Sequence, residues 1–210
     1  MQNLGAVILA AGGSTRLGQP KQFLQWEGES LIRRVVRAAS EAGCARVAVV
    51  AGDASARLQT ELLQTASELV TNPHWERGLG TSVCVGVQHL LDSSEELEGI
   101  LLLVCDQPFV DGALLSALIA EWKSSSKAIV ASRYANTLGV PALFDRSCFT
   151  ALRALPDESG AKALIQVRAG DVAEVEFERG AIDIDTPADL ALLRSGEVEL
   201  HLPPSGARQE

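Results

Sequence analysis

No stretch of the 210 residues reaches the roughly 18 consecutive apolar positions that a membrane helix needs. The N-terminal residues also lack the basic start of a signal peptide. Both absences lead to the expectation of a cytoplasmic protein with no membrane partner. Basic residues are in short supply: 18 Lys and Arg against 27 Asp and Glu leave a formal net charge of −9, which argues against a nucleic-acid or anionic-membrane surface. Paired cysteines are missing too. The four present, Cys44, Cys84, Cys105 and Cys148, form no Cys-x2-Cys pair and have no histidine at zinc-finger spacing. Each lies in an apolar context, so free buried thiols in a reducing compartment are expected. His74, His89 and His201 are equally scattered, and no convincing general base stands out.

What is there is an ordinary globular balance, 47% apolar and 21% charged, on a chain long enough for one well-buried α/β domain and too short for two. We expect that domain over residues 1–195, with a loosely held tail over 196–210. Short apolar runs alternate with segments of helical period. Leu4 to Ala10, Arg46 to Ala51 and Ile100 to Cys105 read as buried strands, and Leu69-Val70, Ala128 to Ala131 and Glu174 to Glu178 as further ones. Between them, helices are expected after Ser30, over about 54–66, around Val83 to Leu91, after Asp111, after Asp145 and after Ser159. Thr186-Pro187-Ala188-Asp189 reads as a capping box with proline at the first helical position. Pro141 cannot donate to a ladder, so its segment is expected to be an edge or short strand. This alternation implies an α/β, doubly wound, mostly parallel sheet with helices on both faces, and ligands at the carboxyl ends of its strands.

The first strand runs into Leu9-Ala10-Ala11-Gly12-Gly13-Ser14-Thr15-Arg16-Leu17-Gly18-Gln19-Pro20-Lys21-Gln22. Small residues after a strand let peptide N–H groups approach a ligand closely and form a nest for oxyanions. Arg16 can fork onto two phosphate oxygens, and Lys21 adds a point charge. A polyphosphate suits such a loop. On a chain of net charge −9 it would also need a bridging divalent cation. The loop is not a Walker motif, since Gln19-Pro20 stand where Lys-Ser/Thr belongs, nor a Gly-x-Gly-x-x-Gly dinucleotide fingerprint. From spacing alone an ordinary glycine-rich turn with solvated charges stays open.

Leu-Ala-Ala-Gly-Gly-Ser-Thr-Arg-Leu-Gly-Gln-Pro-Lys-Gln resembles the signature of the nucleotidyltransferases related to the molybdenum cofactor guanylyl- and cytidylyltransferases, Leu-Ala-(Ala/Gly)-Gly-x-x-x-Arg-Met-Gly-x-x-Lys. Leu17 replaces the usual Met, a volume-conserving swap. The double alanine and the Pro-Lys-Gln ending resemble the cytidylyltransferase branch, as does Cys105-Asp106-Gln107-Pro108 at a second strand exit. The resemblance implies a nucleotide-diphospho-sugar transferase-like fold and marks Leu9, Ala10, Ala11, Gly12, Gly13, Ser14, Arg16 and Lys21 as nucleotide-binding. Arg16, Lys21 and Asp106 are the catalytic residues it implies. Asp106 would hold Mg2+, an ion that takes one or two carboxylates plus phosphate oxygens and water. The family's Asp-(Ile/Val)-(Asp/Asn)-Thr-Pro-x-Asp-Leu is similar to Ile182-Asp183-Ile184-Asp185-Thr186-Pro187, which makes Asp185 the implied second metal ligand, with Asp183 on the same side of the strand. Taken alone, each of these acids also fits a turn or cap.

Two further stretches resemble the family. Asn72-Pro73-His74-Trp75-Glu76-Arg77-Gly78 and the Gly80-Thr81-Ser82 turn match the place where related cytidylyltransferases meet the pyrimidine. Backbone groups and a hydroxyl can read a cytosine edge there while glycines keep the approach open. Trp75 can stack on a flat acceptor ring, or serve equally as a lid or core residue. Asp157-Glu158-Ser159-Gly160-Ala161-Lys162 is similar to Gly-Asp-x-Gly-Ala-Arg and implies Lys162 at the acceptor phosphate, with the charge kept and the fork lost. The function so implied is transfer of CMP from CTP to the phosphate of molybdopterin with release of pyrophosphate, the product going to a molybdoenzyme or its maturation factor. Two alternatives stay open at this point: transfer to another small phosphate such as a sugar or polyol phosphate, and a non-catalytic pterin or nucleotide carrier.

Overall fold

Val, Ile and Leu concentrate in three runs, and such side chains suit a pleated surface buried on both faces. Those runs are β1 (Leu4–Leu9), β4 (Arg46–Ala51) and β6 (Gly99–Val104) of a computed structural model that describes residues 3–12, 19–93, 96–184, 188, 189 and 191. Between β1 and β4 lie a small hairpin of β2 (Gln25–Trp26) and β3 (Glu29–Ser30), then α1 (Leu31–Glu41), whose first turn is capped by Ser30. Next come α2 (Ser55–Glu61), β5 (Glu68–Thr71) and α3 (Leu79–Ser93). After β6 follow α4 (Gly112–Ser125), β7 (Ile129–Tyr134), β8 (Thr137–Asp145), α5 (Phe149–Arg153), α6 (Ala161–Val167) and β9 (Val172–Glu176). Asp111 caps α4 by accepting from the Leu114 amide at 2.8 Å.

Seven strands form one sheet in the order β5-β4-β1-β6-β8-β7-β9, doubly wound and parallel except at β8. Along β1, side chains alternate between two cores, as a period of two requires. Leu4, Ala6, Ile8 and Ala10 face the layer of α1 and α4, while Val7 and Leu9 face α3, α5 and α6. Helix α3 lies close to the sheet because Gly86 has no side chain: a Cβ there would come within 2.5 Å of Val7 Cγ1 and 2.8 Å of Val50 Cγ2.

Chain order places the site. From β1 the chain runs outward through β4 and β5, then returns to β6 on the other side of β1, a topological switch that opens a crevice at the strand ends. Register levels the two lips of that crevice, since Leu9 is paired with both Val50 and Val104.

Two features depart from the sequence reading. Helix α2 stops at Glu61 instead of reaching 66, and Gln64 in the turn beyond it takes a left-handed φ of 68°. The segment holding Pro141 is neither short nor at an edge, for β8 spans nine residues between β6 and β7. Proline is accommodated because pairing with β6 ends at Ala142 and pairing with β7 skips from Ala142 to Gly139, so a bulge removes the need for a ladder donor at 141. Ser132 Oγ donates to the freed Pro141 carbonyl at 2.6 Å. All four cysteines are free, with Cys105 and Cys148 buried and Cys44 and Cys84 half-buried. No helix among the described residues is long and apolar enough to cross a membrane. The expected Thr186-Pro187 cap and the tail over 196–210 lie outside the described residues.

Candidate active site

Three segments converge at the switch point around a cavity of about 310 Å³. The β1 exit contributes Leu9, Ala11 and Gly12, the β6 exit Val104, Cys105 and Asp106, and the passage from β5 into α3 contributes Trp75, Glu76, Gly78, Leu79 and Ser82. Lys21 and Gln22 complete the lining from a single 3-10 turn, Lys21–Phe23, that follows Pro20.

Lys21 Nζ donates to Asp106 Oδ2 at 2.7 Å across 85 positions of chain. Their side chains are 17% and 23% exposed, enough for a ligand to reach both and little enough for their charges to be only partly screened. The segment that carries Asp183 runs alongside. The Ile184 amide donates to the Asp106 carbonyl at 3.1 Å, and Gln107 Nε2 donates to the Gly180 carbonyl at 3.0 Å, so residues 180–184 are tied to the β6 exit. Burial above all, with the Asp183 and Asp106 carboxylates adding to it, holds the Tyr134 phenol above its ordinary value. Burial likewise pushes the Cys105 thiol up to about 12, so it stays protonated near neutral pH and is no nucleophile.

Donor chemistry at Asp106 suits a hard cation. Magnesium-class ions take one or two carboxylates and complete their shell with phosphate oxygens and water, and Asp106 offers such an oxygen beside the 182–184 segment. Among the described residues no group of three or more His, Cys, Asp and Glu gathers as a self-sufficient cage. The fit is to an ion that arrives with its own oxygen ligands.

The residues expected from sequence divide three ways. Leu9, Ala11, Gly12, Lys21, Trp75, Ser82 and Asp106 line the one cavity. Gly13, Ser14, Arg16 and Asp185 lie outside the described residues. Ala10, Gly80, Thr81 and Lys162 are among the described residues but not in the lining. Ala10 points into the α1 and α4 core. Gly80 does not keep an approach open for a ligand: a Cβ there would meet the Pro156 carbonyl at 2.1 Å, and its amide donates to the Asp157 carbonyl at 2.8 Å. Its small size instead lets the 156–159 loop lie against α3. The Thr81 hydroxyl is spent on the Gly78 carbonyl at 2.8 Å. Lys162 stands exposed one residue into α6. Trp75 lies over Gly52, where a Cβ would come within 2.8 Å of the indole, and its Nε1 donates to Asp53 Oδ1 at 3.4 Å.

Sequence reasoning assigned no site role to Gln22, Glu76, Gly78, Leu79, Val104 or Cys105 of the lining, and it missed the part played by Asn72. The Asn72 side chain is fully buried, which its place in an Asn-Pro turn gave no reason to expect. Oδ1 accepts from the His74 amide at 2.9 Å, while Nδ2 donates to Thr81 Oγ1 at 2.8 Å and to Ser82 Oγ at 2.9 Å. One amide thus ties the Trp75 turn to the start of α3.

Comparison with known proteins bears on this arrangement. The model of a family described as "MobA-like NTP transferase domain" matches residues 6–174. Purine catabolism protein PucB of Bacillus subtilis (strain 168) is 30% identical over 198 residues, covering 90% of this chain and 94% of that protein. Molybdenum cofactor cytidylyltransferase of Escherichia coli (strain K12) is 25% identical over 203 residues, covering 95% of this chain and 100% of the other. Among solved structures, Rv0371c from Mycobacterium tuberculosis H37Rv in complex with manganese superposes with a TM-score of 0.72 at 26% identity, over 91% of this chain and 98% of that one.

Proposed function

The chain belongs to the MobA-like NTP transferase domain family, a family of nucleotidyltransferases, and from that premise we propose that it transfers CMP from CTP to the terminal phosphate of a molybdopterin. An oxygen of the acceptor phosphate attacks the α-phosphorus of CTP, the bond from that phosphorus to the bridging oxygen breaks, and pyrophosphate leaves. The observation that carries the reading is the meeting of Lys21 and Asp106 at 2.7 Å in a cavity walled by both strand exits. The resemblance to the Escherichia coli cytidylyltransferase supports the choice of nucleotide and acceptor.

A phosphate oxygen is already deprotonated near neutral pH, so the attack requires no general base. Catalysis then rests on positioning and on charge placed in advance where the α-phosphoryl group becomes more negative. In this reading the Gly12 amide, together with those of Gly13 and Ser14, cradles the phosphates. Arg16 neutralises the leaving pyrophosphate, and Lys21 faces the α-phosphoryl oxygens. Asp106, with Asp185 as its partner, would hold Mg2+. When bound, such an ion screens the phosphate charges and fixes their geometry. Lys21 must then exchange its bond to Asp106 for one to phosphate, a shift its four-carbon stem allows. Trp75 and Lys162 are the groups proposed to meet the acceptor.

Pyrophosphate release, measured with each of the four nucleoside triphosphates with and without molybdopterin, tests the assignment. Release that requires both CTP and molybdopterin supports it. Release with a sugar or polyol phosphate in place of the pterin would redirect the acceptor, and binding without release would refute catalysis.

A further inference from the structure

Ser82 is 2% exposed and lines the cavity from the first turn of α3. Its Oγ accepts a hydrogen bond from Asn72 Nδ2 at 2.9 Å. A serine hydroxyl has one hydrogen to give and two lone pairs to receive with, so the direction of that bond decides what remains. The direction is set by neighbours. Were the Asn72 amide turned over, its NH2 would face the His74 amide, donor against donor, and the bond at 2.9 Å would be lost. Thr81 cannot reverse the pattern, because its own hydrogen is committed to the Gly78 carbonyl at 2.8 Å. Both hydrogens of Asn72 Nδ2 are therefore consumed, one by Thr81 and one by Ser82. No acceptor among the described residues takes the Ser82 hydrogen, and the open space beside the residue is the cavity.

We infer that Asn72 is a positioning residue that fixes Ser82 as a hydrogen-bond donor toward the ligand. The group read there is then an acceptor: an unprotonated ring nitrogen or ring carbonyl of a pyrimidine base, in preference to a ring N–H. A buried donor left unpaired by the wrong edge is costly, and this gives the cavity a means of discriminating bases through a residue that never touches the nucleotide. The inference rests on the proposed nucleotide chemistry of this cavity.

Three variants test it: Ser82→Ala, Asn72→Asp and the double variant. Asn72→Asp keeps the shape and the acceptor for the His74 amide but has no hydrogens to give, so it draws the Ser82 hydrogen onto itself. Each single variant is expected to weaken CTP binding in calorimetry and to raise KM for CTP by roughly 10-fold, with kcat nearly unchanged. The double variant is expected to lose no more than Ser82→Ala alone, because both changes delete one and the same bond. Losses that multiply in the double variant would overturn the inference, since Asn72 would then act only by shaping its turn. If Asn72→Asp does not fold, Ser82→Thr, which keeps the hydroxyl, is expected to retain CTP affinity where Ser82→Ala loses it, and equal affinities would refute the donor role. Wild-type turnover of CTP with unchanged binding by Ser82→Ala sinks the donor assignment alone. Failure of the wild-type protein to bind CTP would sink the reading of the cavity and the inference with it.

Discussion

Replacing Lys21 with alanine separates two jobs that the same ammonium could hold. In the structure it neutralises Asp106 at 2.7 Å, with both side chains partly exposed. A pair of that kind contributes little to stability, of the order of 1 kcal/mol or less once solvent screening is counted, so the unfolding midpoint of Lys21→Ala should scarcely move. Its proposed second job is to meet charge growing on the α-phosphoryl oxygens. Losing one preorganised group of that sort costs about 100- to 1000-fold in kcat, or roughly 3–4 kcal/mol of transition-state stabilisation. A third consequence follows from geometry: without the ammonium, Asp106 loses the cation it is paired with, and its affinity for a divalent ion offered alone should rise. Single-turnover pyrophosphate release measures the loss in rate, and calorimetric titration with Mn2+ measures the change in metal affinity. Asp106→Asn serves as the control, expected to lose both metal binding and most activity. Near-wild-type turnover by Lys21→Ala, combined with tighter metal binding, would refute the reasoning, because Lys21 would then serve as a counter-ion of Asp106 and take no part in the transfer step.

Two further outcomes are expected from the scaffold. Gly86→Ala should destabilise by up to about 2 kcal/mol in urea unfolding: alanine favours a helix interior by ~1 kcal/mol, but its Cβ would sit 2.5 Å from Val7 Cγ1, and overpacking against stiff β-branched neighbours costs about 1–3 kcal/mol. A gain in stability would show that α3 does not ride on that contact. At the β5 edge, burial pushes the Glu68 carboxyl up, but hydrogen bonds from His89 and Arg46 outweigh it and hold the group below its ordinary value of 4.5. A depressed folded pKa stabilises above the unfolded value and is lost as pH falls through the folded one. Glu68→Gln should therefore cost about 0.5 kcal/mol at pH 7, discounted for an exposed pair, and the two proteins should converge in acid; a difference that persists below that range would refute the ion-pair account.

The apolar runs of β1, β4 and β6 were legible in the sequence because a strand buried on both faces must be hydrophobic nearly throughout. The Ser30 and Asp111 caps were legible because a helix start demands a side-chain acceptor. Other features depended on partners far away in sequence. Nothing local to Pro141 announces that it sits within an interior strand, since what admits it is a bulge in the pairing with β7. Gly80 looked the same whether its bareness served a ligand or the Pro156 carbonyl.

By itself, then, the sequence determined the element types, the doubly wound class and the two loops rich in small or charged residues, because these follow from period, capping and turn chemistry within a few residues of each other. Tertiary structure alone decided that Leu9 and Val104 end level across one crevice, that Lys21 reaches Asp106, and that a buried Asn72 dictates which way the Ser82 hydroxyl points. Register and hydrogen-bond direction are relations between distant groups, and no stretch of chain carries them until the sheet has brought those groups together.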